Sequence, residues 1–122
     1  MPYAAGAKNY MLDQFGTNKA LFASLHTANP GSTGSDEVTG GSPAYARMAL
    51  TWNAASAGSK TLSNTPTFDV PASTTVTHVG LWTLVTGGVW QGYIDVTDET
   101  FAAQGTYQIT SGTIDLNATA SA

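Results

Sequence analysis

The chain has no cysteine among its 122 residues, which excludes disulfides, iron–sulfur clusters, thiolate zinc sites and cysteine nucleophiles. Cations are scarce. Lys and Arg number 4 against 8 acids, for a net charge of −4. Nucleic-acid binding needs a basic stripe to displace counterions, and four scattered cations do not supply one. Anionic membrane surfaces are disfavoured on the same ground. Long apolar runs are missing too. The densest, Ala20-Leu21-Phe22-Ala23, is too short to span a bilayer, and Met1 to Phe15 lacks the continuous apolar stretch of a signal peptide. The expectation is a chain made in the cytoplasm.

Charged residues amount to 10%, against roughly 25% in an average soluble domain. Polarity comes instead from Thr, Ser, Asn and 13 glycines, while the hydrophobic fraction of 42% is too high for disorder. A chain of this length buries about two-thirds of its surface in one core. Abundant Thr and Gly with little charge point to an all-β particle that packs against neighbours.

One segment has helical spacing. Ala7, Tyr10, Met11 and Phe15 recur every three or four residues, and Gly16 is a natural stop, so a helix is expected from about Ala4 to Phe15. Strands follow: Ala20 to Thr27, Ala44 to Trp52, a short one near Lys60 to Leu62, and Thr67 to Val70 between Pro66 and Pro71. Thr75 to Thr83 is the strongest. Gly87-Gly88 turns the chain into Val89 to Val96, a bend is expected over Thr97 to Ala103, and Thr106 to Thr110 pairs with Thr113 to Leu116. About eight short strands at these spacings predict an antiparallel β-sandwich or jelly-roll with one short N-terminal helix. The expected organisation is an arm and helix over 1–18, a β-domain over 19–116 with a long loop at 28–43, and a frayed tail over 117–122. Met48, Leu50, Trp52, Val79, Leu81 and Ile94 are expected in the core. Trp82 points opposite to Leu81, toward a second layer.

The search for chemistry finds little. His26 and His78 both fall on strands, and no G-x-S-x-G turn offers a nucleophile. Asp95, Asp98 and Glu99 would interest calcium, but the alternating acids and central glycine of a calcium loop are missing. Gly58-Ser59-Lys60 lacks the earlier glycine of a phosphate cradle. Trp52, Trp82 and Trp90 lie on strands, where packing explains them better than a sugar platform. The sequon Asn117-Ala118-Thr119 has meaning only in a secreted chain. No enzyme activity, metal or cofactor is expected.

Several segments resemble, in order, a known group of proteins. They are Leu25-His26-Thr27-Ala28-Asn29-Pro30-Gly31, Gly34 to Ser42, Tyr45-Ala46-Arg47, Leu50-Thr51-Trp52, Phe68-Asp69-Val70-Pro71, Thr75 to Trp82 and Thr86-Gly87-Gly88. The order resembles small structural proteins of tailed bacteriophages and prophages, described as tail-fibre or minor tail proteins, with some small β-sandwich members decorating the head. The resemblance runs from about Tyr10 to Thr110. Pro43 and Ala44 are an insertion relative to the shorter Gly-Gly-Ser-Tyr-Ala-Arg pattern.

What the resemblance implies is a non-enzymatic component of the virion exterior. The missing repeats and heptads, with a compact knob, favour a capsid decoration (cement) protein. A tail-fibre or minor tail protein is the alternative. A carbohydrate-binding module using the tryptophans or Tyr3, Tyr45, Tyr93 and Tyr107 is the second. Partners are expected to be further copies of the chain and other virion proteins, such as the major capsid protein or tail proteins. A trimer is implied by the resemblance, not by composition. Contact residues are expected on the helix at Tyr10, Met11 and Phe15, in the long loop at Asp36 and Glu37, and at Arg47. Arg47 projects from the face opposite Met48 and Trp52, where it should meet a carboxylate or a partner subunit.

Overall fold

A computed structural model describes residues 4–115. Expectations for Tyr3, for the 117–122 tail and for its sequon fall outside the described residues. Helix α1 (Ala5–Asn18) is followed by eight strands: β1 (Phe22–His26), β2 (Met48–Ala49), β3 (Ser59–Thr61), β4 (Thr67–Val70), β5 (Thr74–Trp82), β6 (Trp90–Phe101), β7 (Gly105–Gln108) and β8 (Thr113–Asp115). All pairings are antiparallel. A four-stranded sheet runs in the order β2-β1-β5-β6, and two ribbons, β3-β8 and β4-β7, complete the fold. The expected hairpin of Thr106 to Thr110 with Thr113 to Leu116 is thereby corrected: β7 pairs with β4 and β8 with β3. This is the all-β, one-helix class the strand pattern predicts.

The register of β1 on β5 sorts the central sheet into two chemically different faces. Ala23 opposes Leu81 and Leu25 opposes Val79, so these four point one way, into the core. There they meet Phe68 and Val70 of β4, both fully buried, with Val38, Leu50 and Val76. The other face carries Ser24 opposite Gly80, His26 opposite His78, and Phe22 opposite Trp82. Period-2 alternation of Thr75 to Trp82 built both faces at once.

Two expected core residues are corrected. Met48 and Ile94 are 37% and 38% exposed. Both have the right facing but sit on β2 and β6, the two edges of the sheet. An edge side chain has neighbours on one flank only. Leu50, Val79 and Leu81 are buried as expected, and Trp52 is half-buried.

Strand β6 also continues through the expected bend. The ladder with β5 slips between Val76 and His78, so that Asp95 pairs with His78 but Glu99 with Val76. That irregularity absorbs the extra residues and lets pairing resume to Phe101. By contrast, the long alternating run at 44–52 is strand only at Met48–Ala49.

Helix α1 is rotated from its expected orientation. Leu12 and Gly16 face inward and Phe15 packs partly against the core, whereas Tyr10 and Met11 are 67% and 36% exposed. The docking is largely polar. Asn9 Oδ1 accepts from Gly58 N at 2.9 Å, and Asp13 Oδ1 accepts from Ala55 N at 2.8 Å and from Lys60 Nζ at 2.7 Å. Gly16 permits this approach, because a Cβ there would strike the Lys60 side chain. It lies inside the helix rather than ending it.

Candidate partner-binding surface

The long loop folds back on the central sheet. Thr27 N donates to Asp36 O and Val38 N to Leu25 O, so the strand at β1 is extended by a bridge between His26 and Glu37. Gly34, at φ +75°, lies against the Trp82 and Trp90 rings, where a Cβ would come within 2.6 Å of both. Only glycine combines that backbone with that approach. The loop is the second layer that Trp82 faces.

Beneath the loop runs a buried polar chain. Trp82 Nε1 donates to Ser24 Oγ at 2.9 Å, Ser24 Oγ meets His26 Nε2 at 2.7 Å, and His26 Nδ1 meets Ser35 O at 2.8 Å. A carbonyl only accepts, so Nδ1 carries the proton and Nε2 accepts from the Ser24 hydroxyl. Burial pushes His26 below its ordinary pKa, against the upward pull of the Ser35 bond and the Glu37 charge. Ser24 and His26 are both 0% exposed. The pair holds the sheet and loop together, closed off from solvent.

At the edge of this layer Arg47 is fully engaged. Its Nε and Nη2 donate to the two Glu37 carboxylate oxygens, each at 2.9 Å, and its Cζ lies 3.8 Å from the centroid of a Trp82 ring. Nη1 donates to Leu84 O at 3.1 Å and to Gly87 O at 2.8 Å. Tyr45 Oη donates to Glu37 Oε2 at 2.8 Å and accepts from Leu25 N at 3.0 Å. Burial alone would raise the Glu37 pKa, but the bonds from Arg47 and Tyr45 outweigh it and hold the carboxyl below its ordinary range. Burial also keeps the Tyr45 phenol protonated.

The clamp therefore fixes a turn whose side chains project outward. Leu84, Val85 and Val89 are 54%, 50% and 62% exposed, a concentration of apolar surface at one tip. A second apolar stripe is formed by Ala7, Tyr10 and Met11 on the outward side of α1.

The expected contact residues thus separate into two groups. Tyr10, Met11 and Asp36 are exposed and accessible. Glu37 and Arg47 are bound to one another, so the carboxylate expected for Arg47 is within the chain, and Phe15 is half-buried against the core. Tyr45 and Trp82 complete the clamp without having been singled out as its partners. Tyr45 shares a strand face with Arg47, which was a usable signal, whereas Trp82 is 35 residues away from it in sequence.

The indoles are spent internally. Trp52 Nε1 donates to Ala20 O, Trp90 Nε1 to Gly31 O, and Arg47 stacks on Trp82. Asp95 meets His78 Nε2 at 3.8 Å, and among the described residues no three His, Asp or Glu side chains converge as a metal site. Among the same residues, no helix is long and apolar enough to cross a membrane.

Comparison with curated proteins and with solved structures gives no match. A family model does match, over residues 8–117, from within α1 to beyond β8, and the chain therefore belongs to the family described as podophage GP4 fiber I protein gp80.

Proposed function

We propose that the protein is a non-enzymatic module of a phage tail fibre, exposed on the virion exterior and working through protein–protein contact. The observation that carries this reading is the family match across nearly the whole chain. It agrees with the resemblance to tailed-phage structural proteins, and its wording favours the fibre over the capsid. The compactness that pointed to a capsid decoration suits a fibre joint or tip equally well.

The surface supports contact rather than chemistry. The clamped tip at Leu84, Val85 and Val89 and the outward stripe of α1 are apolar and nearly free of charge. Such patches mark association sites. Closed symmetric assemblies are their usual outcome, and a trimer is the form we propose.

Gold-labelled antibody on purified virions tests the location. Label along the tail fibres is expected. Label spread over the capsid would transfer the protein to head decoration, and virions that carry no label would overturn the reading.

A further inference from the structure

Strand β6 is the longest in the molecule, 12 residues, and it lies at the edge of its sheet. Long exposed edges invite pairing, and proteins ordinarily keep them short or covered. Here the next strand in sequence, β7, pairs with β4 instead. Among the described residues no backbone bond joins β6 to β7. The two unpaired edges flank a continuous groove. One end is a cavity of about 390 Å³ with Leu50, Leu62, Ile94, Val96 and Ile109 in its walls. The other is a wider opening of about 630 Å³ that shares Val96, Tyr107 and Gln108 with the first and carries Asp95 and Glu99.

The groove therefore presents apolar side chains at Ile94 and Val96 and acidic ones at Asp95 and Glu99, alternating along β6, with hydrogen-bonding backbone between them. We propose that it receives an extended strand from another protein, apolar where it meets Ile94 and Val96 and carrying Lys or Arg opposite Asp95 and Glu99. Strand addition of this kind takes its affinity from main-chain bonds and its specificity from alternate side chains.

Charge argues against a second copy. Antiparallel pairing of β6 with itself brings Asp95, Asp98 and Glu99 of the two strands together, which is repulsive. Nor does the chain offer a basic strand of its own. Arg47 and Lys60 are held in ion pairs, and Lys8 and Lys19 belong to α1 and its cap.

The test uses the full chain and two synthetic ten-residue peptides of alternating Val and Thr. One carries two Lys residues, and in the other Glu replaces them. Backbone amides are followed by NMR and hydrogen exchange. The Lys peptide should protect the β6 amides on the edge away from β5 and the β7 amides on the edge away from β4. It should weaken at least tenfold between about 50 and about 500 mM salt, the range over which exposed charge is screened. Replacing both acids, Asp95→Lys with Glu99→Lys, should weaken it at least tenfold more. Both side chains are exposed, so the fold is retained and circular dichroism checks it. Equal binding of the Glu peptide, binding mapped to α1 or the 84–89 tip, or no protection by either peptide would overturn the proposal. So would protection, in the chain alone, of the β6 amides on the edge away from β5. If that protection grows with concentration, the occupant is a second copy. If it is lost on removing residues 116–122, the occupant is the chain's own end.

Discussion

Arg47 and Glu37 are joined by two hydrogen bonds of 2.9 Å, and the guanidinium that makes them lies over Trp82 with its Cζ 3.8 Å from a ring centroid. One side chain thereby joins the long loop, the central sheet and the turn after β5. A lysine supplies the charge but neither the fork nor the stacking. Arg47→Lys should therefore destabilise the domain by about 2 kcal/mol, measured by urea unfolding. An unchanged midpoint would show that the clamp contributes nothing to stability.

Acid should weaken the fold in two stages. His26 has its folded pKa depressed by burial, so the unfolded chain binds more protons than the folded one below its ordinary value of 6.5. Stability from neutral His26 is present above that pH and is lost as pH falls toward the lower folded value. Glu37 and Asp13 are also depressed. Burial opposes the shift of Glu37, while the Lys60 bond leads that of Asp13. Their contributions are present above about 4.5 and 3.8 and are lost below. Urea midpoints recorded from pH 8 to 3 should fall from about 6.5 downward. The first stage should be absent in His26→Gln, and a wild-type curve flat between 6.5 and 5 would contradict it.

The fold class and both faces of β5 were legible because alternation over nine residues reports which way each side chain points. Alternation does not report lateral position. Met48 and Ile94 read as core for this reason, although each is on an edge strand. The helix was legible as a helix, but its inward side was not. Apolar spacing selected Tyr10 and Met11, whereas Asn9 and Asp13 dock through backbone and Lys60 partners more than 40 residues away. Of the clamp, Arg47 and Glu37 were visible as rare charges in a charge-poor chain. The open groove beside β6 was not visible, because nothing local states that consecutive strands fail to pair.

Gly34 should tolerate no side chain. Its φ of +75° and the two indole rings beside it leave neither the backbone freedom nor the space for a Cβ. Gly34→Ala should cost about 2 kcal/mol or more, combining left-handed strain with overpacking. The same substitution at Gly31, also at positive φ but with nothing within 4 Å, carries the strain alone and should cost about 1 kcal/mol. Equal losses at the two positions would show that the tryptophan contact is unimportant.

Ser24 accepts from Trp82 and donates to His26 where water does not reach. Ser24→Ala leaves the indole donor and the imidazole acceptor without partners, at a cost of about 2–3 kcal/mol. Ser24→Cys preserves size approximately but offers a weaker donor and acceptor, and its urea midpoint should fall between those of the wild-type chain and Ser24→Ala. A midpoint equal to wild type for Ser24→Ala would show that the bonds contribute nothing.

The outward stripe of α1 gives a test of self-association that the helix's own docking permits. Deleting the helix would expose Trp52 and Lys60 and remove Leu12 from the core, so loss of assembly could not be separated from unfolding. Point changes avoid this. Tyr10 and Met11 are 67% and 36% exposed, and serine at both should alter stability by no more than about 0.5 kcal/mol. Sedimentation of the wild-type chain should give a mass near three chains, little changed by salt, because the stripe has few charges to screen. The Tyr10→Ser, Met11→Ser variant should sediment as a monomer with an unchanged melting temperature. A variant that still associates would move the self-contact to the Leu84, Val85 and Val89 tip, and a wild-type chain that stays monomeric would remove self-assembly from the proposed function altogether.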